Sequence, residues 1–544
     1  MTIKKIIIEN FKGFEGKFLI DFNSGLNVLV GNNEAGKSTI LEAIHLALTG
    51  FFNGRYIRNE LTQYLFNNQV VDKYIYDLEH NNSPVLPYVL IEVYIDGDDY
   101  PILEGNGNSE KNKECGVSFK IAFDENYTDE YESLVQKGNI KTIPIEYYEI
   151  TWCSFARAPI TPRSIPIKSA MIDTSNKRNQ NGSDLYISQI VRNNLEPEEM
   201  VDISQAHRKM RESFMADPSI NAINKKISQA PKISDKEVEL SVDLVSKNAW
   251  ENSLMTYVDS VPFHFLGKGE QSTIKTQLAL AHNKSKEANV ILIEEPENHL
   301  SHSKLNQFVE NIKRHHKDKQ IIISTHNSFV ANKLGLNNLI LLNDNRTVQL
   351  KSLLPDTQNF FEKVSGYDTL RLILCDKAIL VEGASDELVV QKAYMLQNDG
   401  KLPIEDGVDV ISVGTSFLRF LEIAEKINKQ VVVVTDSDGD VEAVRDKYSK
   451  YLDEDYPNIK ICYDHEVDKG DLVINNKPFN YNTLEPKILK NNDLQEINNI
   501  LNTKDKSEEE LHIYMNNHKT DCALKIFNTE EKINFPNYIL EAIE

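Results

Sequence analysis

Short runs that are apolar almost from end to end, each stopping on polar or acidic residues, recur through this chain: LNVLVG, NVILIEEPE, KQIIISTHN, KAILVEGAS, VDVISVG and KQVVVVTDSD. A strand without polar alternation is buried on both faces, which is the condition of a parallel sheet covered by helices. Helical patterns fill the gaps between the runs, so the expected class is α/β. At 544 residues the chain is too long for one core. At least two such domains are expected, joined near KSLLPDTQNFFEKVSGYD (Lys351–Asp368), with no internal repeat. From about Thr174 to Glu237 the sequence turns rich in Asn, Ser, Lys and Glu with helical spacing, as in EEMVDISQAHRKMRESF, and reads as a helical insertion. The expected spans are 1–173, 174–237, 238–355 and 370–544.

Composition removes some roles. A net charge of −22 excludes a protein that coats nucleic acid by charge alone. It leaves room for an enzyme that confines its basic residues to one groove. Five cysteines at 115, 153, 375, 462 and 522 include no CxxC pair, so neither zinc nor a disulfide framework is expected, and a reducing cytosol fits best. The opening MTIKKIIIENFKGF has too short an apolar run for a signal peptide, and no stretch of about 18 apolar residues follows. A soluble cytoplasmic protein with no membrane partner is the expectation.

The run Gly31-Asn32-Asn33-Glu34-Ala35-Gly36-Lys37-Ser38 fits GxxxxGK[ST], follows the strand LNVLVG and passes into the amphipathic STILEAIHLAL. In that setting the loop amides at Asn32, Asn33 and Gly36 and the helix N-terminus through Thr39 hold phosphates. Lys37 reaches the β and γ oxygens of ATP, and Ser38 ligates Mg²⁺. VILIEEPENHL ends a buried strand in two carboxylates, placing Glu294 for the nucleotide's metal and Glu295 as base toward the attacking water. IIISTHNS puts His326 just past another buried strand, where a γ-phosphate sensor belongs. Upstream, LGKGEQS (Leu266–Ser272) precedes the helical pattern TIKTQLALAH, and its amides and Gln271 can face a phosphate.

In this order the motifs resemble ABC-type ATPases of the SMC and RecF kind, a resemblance strengthened by IENFKGF near the start. It implies a dimer of ATPase heads, the signature segment of one completing the ATP site of the other. LGKGEQS stands where most such proteins carry LSGGQ, and Glu294 where most carry Asp. No heptad run long enough for a coiled-coil arm separates the two halves.

A second acidic set lies downstream. KAILVEGASDEL carries Glu382 and Asp386 at its end, and KQVVVVTDSDGD carries Asp436 and Asp438. Ligands of an open parallel sheet bind at the C-terminal strand ends. Strand alternation would turn Asp436 and Asp438 to one side, toward Glu382. Carboxylates converging there repel unless divalent cations neutralise them, and a set without His or Cys points to Mg²⁺ or Mn²⁺. The competing explanation is helix caps and solvated loop acids.

A glutamate after one strand and DxD after a later one resembles the Toprim domain. That likeness implies a further acidic ligand at Glu485 in NTLEPKI, and at Lys519 in HKTDCALKI a lysine that stabilises charge on the phosphate under attack. Two ions are expected, one on Glu382, Asp436 and Asp438 and one on Asp386 and Glu485, serving phosphodiester hydrolysis. An ABC-type ATPase head with a helical dimerisation insertion, followed by a Rossmann-like Toprim domain, is similar to the OLD (overcoming lysogenization defect) family. The similarity extends to the nuclease of Gabija defence and to retron-associated OLD effectors. It implies an ATP-regulated, metal-dependent DNA endonuclease of bacterial antiphage defence, a homodimer or higher homo-oligomer, with a retron RNA–DNA hybrid or a helicase subunit as conceivable partners. The alternative is an SMC- or RecF-like ATPase that binds or tethers DNA without cutting it. A topoisomerase or primase would need a strand-passing tyrosine domain or a zinc module for which neither length nor cysteine spacing leaves room.

Overall fold

The computed structural model describes residues 1–80, 84–96, 100–138, 140–173, 179–180, 183–184, 195, 197–228, 257–271, 273–274, 288–298, 300–315, 319–343, 346–350, 353–364, 366–452, 455–474, 476–505 and 507–544. The chain forms two compact units, Met1–Thr325 with Asp344–Thr347, and His326–Asn343 with Val348–Glu544. Among the described residues no helix is long and apolar enough to cross a membrane.

The first unit is built on two sheets. Strands β1 (Thr2–Glu9), β2 (Lys17–Asp21), β3 (Leu26–Gly31), β4 (Val89–Asp96), β5 (Glu114–Phe123), β6 (Tyr148–Ser154), β7 (Ser169–Asp173), β8 (Val290–Glu294) and β9 (Gln320–Ser324) supply them. An antiparallel sheet runs β2-β1-β4-β5-β6. The other is parallel, in the order β7-β8-β9-β3. As the unbroken apolar runs require, β9 is buried along its whole length and β8 up to Glu294. Helix α1 (Lys37–Thr49) follows β3 and buries Ile40, Leu41, Ile44, Leu46 and Leu48. The indole Nε1 of Trp152 in β6 donates to the Ala47 carbonyl (3.0 Å), fixing the end of that helix. Two further helices, α2 (Pro197–Ala216) and α3 (Pro218–Ser228), each begin on proline, which suits a first helical turn whose N–H has no partner.

One side chain ties the two sheets together. Gln320, fully buried at the start of β9, accepts from Ile3 N–H (2.7 Å) and donates to the carbonyls of Ile3 (2.7 Å) and Asn23 (2.8 Å). It satisfies backbone groups that would otherwise be buried and unpaired.

The second unit carries four parallel strands: β10 (Lys377–Val381), β11 (Val408–Ser412), β12 (Gln430–Val434) and β13 (Ile459–Cys462), in the order β11-β10-β12-β13. The chain leaves β10 for one neighbour and returns across it to the other, so the order reverses between β10 and β12. In open parallel sheets that reversal opens a crevice at the C-terminal strand ends. Helix α4 (Ala384–Gln397) follows β10. Helices α5 (Leu484–Lys490), α6 (Glu508–Asn517), α7 (Lys519–Asn528) and α8 (Asn537–Ile543) come later and pack with α4 around a core that includes Val381, Val389, Ile488, Met515, Ile526 and Ile539.

Gln320→Ala removes three hydrogen bonds and strands the Ile3 N–H and carbonyl, at about 1–3 kcal/mol for each stranded group, while the Asn23 carbonyl keeps its bond from Asn27 Nδ2. A clear drop in the thermal unfolding midpoint is expected, and an unchanged midpoint would show that the two sheets do not depend on this side chain.

Candidate functional site

The phosphate-loop motif lies between β3 and α1, as its context requires. Gly36 sits at φ +87°, and a Cβ there would run into the ring of Phe14, which stacks on Phe18 (4.3 Å). The FKGF run thus packs its second phenylalanine against the loop, and glycine is required at that point. Asn32 and Asn33 are exposed, and Ser38 and Thr39 are half-buried on the first turn of α1. Lys37 is buried, its Nζ donating to the carbonyls of Gly31 (2.8 Å) and Asn32 (3.0 Å). Burial holds its pKa below the ordinary lysine range against the opposing pull of Glu295 and Glu297.

Glu294 ends β8 and Glu295 follows it at φ +37°, a left-handed conformation that costs a non-glycine residue energy and is common where a side chain must be aimed. The Glu295 N–H donates to the Ser324 carbonyl (3.0 Å), and its carboxylate accepts from Asn298 Nδ2 (2.8 Å). Thr325 Oγ1 donates to Glu297 (2.6 Å). Gln271 donates to the carbonyl of Leu266 (2.8 Å) inside its own turn. Ser272 and the helical pattern after Ile274 lie outside the described residues, as do 229–237 and most of 174–196 in the expected insertion. His326, exposed, is the first residue of the second unit.

The crevice of the second unit gathers the other acids. Glu382 is exposed directly after β10, across the switch point from β12. Asp386 lies in the first turn of α4, its Oδ2 accepting from Gly383 N–H (2.9 Å), so this carboxylate also caps the helix. Asp436 and Asp438 lie beyond the end of β12, and alternation along a strand is not what orients them: Asp438 takes φ +48° and Gly439 φ +83°, a turn. Asp436 Oδ2 accepts from the Leu484 N–H at the start of α5 (3.3 Å), and Asp438 Oδ1 from Asn480 Nδ2 (2.8 Å). Glu485, buried on α5, pairs with Lys519 Nζ at 3.0 Å.

Asp436 feels the charge of the other four carboxylates. Burial raises the Asp436 carboxyl well above its usual range, and Asp386, Glu485, Asp438 and Glu382 push it further. Asp386 is raised to about 6, by burial first and then by Glu485 and Glu382, against the Gly383 hydrogen bond. Burial lowers the Lys519 pKa, but Glu485, Asp436 and Asp386 together carry it above the ordinary value. Among the described residues no three His, Cys, Asp or Glu groups are drawn into one coordination sphere. Like charges with one lysine among them have reason to stay apart. Between Asp436 and Asp438 the Ser437 hydroxyl is buried without a hydrogen-bond partner among the described residues. An all-oxygen donor set, carboxylates that resist ionising, and an orphaned buried hydroxyl fit a hard divalent cation.

Some participants were not singled out in the sequence. Glu297 acts on Lys37, and buried Tyr538 has its phenol raised by burial and by Asp436 and Asp386. Asn480 holds Asp438; the run NYNT ahead of α5 was the available signal, since asparagines favour side-chain-bonded turns.

Residues 1–331 match the AAA ATPase domain family, and residues 373–438 the overcoming lysogenization defect protein-like TOPRIM domain. The DNA replication and repair protein RecF of Lactococcus lactis is 48% identical over 50 residues, 9% of this chain and 14% of that protein. RecF of Streptococcus uberis is 43% identical over 75 residues, 13% of this chain and 20% of that one. The chain thus matches a fifth or less of the length of these curated relatives. Among solved structures, the Smc head domain with an extended coiled coil from Pyrococcus furiosus aligns at a TM-score of 0.34 and 16% identity, over 67% of this chain and 99% of that one. The SMC head domain from Thermotoga maritima aligns at 0.29 and 16%, over 65% and 100%. With its phosphate loop and parallel sheet in the first 331 residues and its carboxylate-lined switch point within and after the Toprim match, the chain belongs to the AAA ATPase domain family and joins to it a TOPRIM domain of the overcoming lysogenization defect protein-like kind.

Proposed function

We propose that the protein is a divalent-metal-dependent DNA endonuclease whose cutting is governed by ATP bound at the first unit. The observation that carries this reading is the set of five carboxylates at the β10/β12 switch point, of which Asp386 and Asp436 are raised by burial and by their acidic neighbours, with Lys519 as the cation beside them. Glu382, Asp436 and Asp438 hold one Mg²⁺ or Mn²⁺, and Asp386 and Glu485 a second. Bound there, two such ions supply the Lewis-acid chemistry of phosphodiester hydrolysis. The chain's own part is positional. The Leu484 amide and Asn480 aim Asp436 and Asp438, and the Gly383 amide fixes Asp386. Lys519, which pairs with Glu485 at 3.0 Å, is the cation that would stabilise charge on the scissile phosphate.

In the first unit Lys37, Ser38 and the loop amides hold ATP with its Mg²⁺ near Glu294, Glu295 acts as base, and Gln271 contacts phosphate. Assembly as a homodimer or higher oligomer through the segment around α2 and α3, a cytoplasmic setting and an effector role in antiphage defence of the Gabija or retron-associated type follow by analogy with the family. A DNA-tethering ATPase without cutting is the second reading, favoured by the RecF matches. Those matches are short, and the crowded carboxylates are a costly arrangement for a domain that only binds.

Nicking of supercoiled plasmid in the presence of Mg²⁺ or Mn²⁺ tests the main reading. Glu382→Ala should lower it by at least about a hundredfold, while Lys37→Ala should abolish ATP binding and leave Mn²⁺ binding intact. Absence of cutting by the unaltered protein under every combination of metal and nucleotide would sink it.

A second expectation concerns pH. Asp386 and Asp436 have folded pKa values raised above the unfolded carboxylate range, about 3.9. Their contribution to stability is full below that value and is lost as pH rises through the folded pKa, about 6 for Asp386. In chelator the thermal midpoint should therefore fall as pH rises from about 4 through about 6, and Mg²⁺ should raise it more at the higher pH. A Mg²⁺ effect independent of pH would contradict the shared site.

A further inference from the structure

The turn before α5 makes contact with the metal-binding acids through a residue that ligates nothing itself. Asp438 is exposed and sits in a left-handed turn, so nothing in the strand fixes its carboxylate. What fixes it is Asn480, whose Nδ2 donates to Oδ1 at 2.8 Å. The orientation of that amide is not arbitrary. Asn480 Oδ1 accepts from the Asn482 backbone N–H (2.9 Å), which can only donate, so the NH₂ group must face Asp438.

Asn482 is itself held at both ends of its side chain. Its Oδ1 accepts from Asp468 N–H (2.7 Å) and its Nδ2 donates to the Asp468 carbonyl (3.0 Å). It also lies against Gly439, where a Cβ would come within 3.1 Å of Nδ2 and where φ is +83°. Asp468 is in turn clamped by Lys487, buried on α5 only two residues from Glu485. The Lys487 Nζ reaches Asp468 Oδ2 (2.6 Å), Asp464 Oδ2 (2.7 Å) and the Glu466 carbonyl (2.8 Å). A buried ammonium with two carboxylates and a carbonyl is fully satisfied and therefore rigid.

We infer that Asn480 is a positioning residue for the metal site, holding Asp438 through a brace that runs Lys487, Asp468, Asn482, Asn480. The chemistry of the contact supports this. Asn480 is a neutral donor, so it orients Asp438 without cancelling the charge that a cation needs, and it occupies Oδ1 while leaving Oδ2 to ligate. Lys487, the cation of the brace, spends its charge on Asp464 and Asp468 and not on the site. Outer groups of this kind that orient a metal-ligating carboxylate typically account for about tenfold to hundredfold in metal affinity.

The inference rests on the reading of Asp438 as a metal ligand, and the experiment separates the two. Mn²⁺ affinity of the full-length protein is measured by calorimetry without DNA, alongside the Mn²⁺ concentration giving half-maximal plasmid nicking. Asn480→Leu and Asn480→Ala should each lower the Mn²⁺ affinity and raise the half-maximal Mn²⁺ concentration by about tenfold, with cutting recovered at saturating Mn²⁺ and the chelator-state unfolding midpoint unchanged. Wild-type Mn²⁺ affinity in both variants, with a loss in Asp438→Ala, would overturn the positioning role alone. So would a loss in both variants that merely follows a fallen metal-free midpoint. Unchanged Mn²⁺ affinity in Asp438→Ala would remove Asp438 as a ligand and the inference with it.

Discussion

Mutual repulsion among carboxylates at one end of a parallel sheet is the constraint around which the second unit is organised. The sheet order makes the crevice unavoidable, since β10 and β12 are neighbours whose chains depart in opposite directions. Burial first, and then the neighbouring acids, raise Asp436 and Asp386 out of the normal carboxylate range. The surrounding structure answers with partners that steady without neutralising: the amides of Leu484 and Gly383 and the side chain of Asn480. Lys519 is the cation paired directly with one of the five, and it is itself half exposed. The nearby ammonium of Lys487 is committed to Asp464 and Asp468. The negative potential is thus conserved and not discharged, which is the condition for attracting divalent ions.

The first unit solves a different problem, that of bringing backbone close to phosphate. Gly36 gives the loop its left-handed bend, and Phe14 occupies the volume that any larger residue would need. β9 contributes at both ends, through Gln320 to β1 and through Ser324 to the strained Glu295. Glu295 and Glu297 both act on Lys37, so the charge balance of the loop depends on residues more than 250 positions away.

What could be read from the sequence and what could not divides along the range of the interactions. The apolar runs became β8, β9, β10, β11 and β12 because burial on both faces is written into each run by itself. The placing of Glu382 and Asp436 at adjacent strand ends followed from the same pattern, and the α/β class with an ATPase domain ahead of a Toprim sheet was legible for that reason. The orientation of Asp436 and Asp438 was not, because it depends on the backbone angle of Asp438 and on Asn480, 42 residues on. Asp386 reads equally well as a helix cap or a ligand, and the hydrogen bond from Gly383 together with a pKa raised by burial and by Glu485 and Glu382 gives it features of both. Gln320 looks like one more polar residue opening a strand; its partner Ile3 is 317 residues away.

The pairing of β3 with β9 has a consequence in time. The strand that leads into the phosphate loop, Leu26–Gly31, takes a parallel neighbour at Gln320–Ser324. During synthesis at about 5–20 residues per second, that neighbour emerges some tens of seconds after the loop itself. The antiparallel strands β1, β2, β4, β5 and β6 are all made within the first 154 residues and can pair early. The nucleotide loop therefore spends most of the chain's synthesis attached to a strand whose partner does not yet exist. Its long-range closure is the slow kind of contact that leaves apolar strand edges exposed while it waits. A nascent chain of this length has reason to depend on chaperones until β9 arrives.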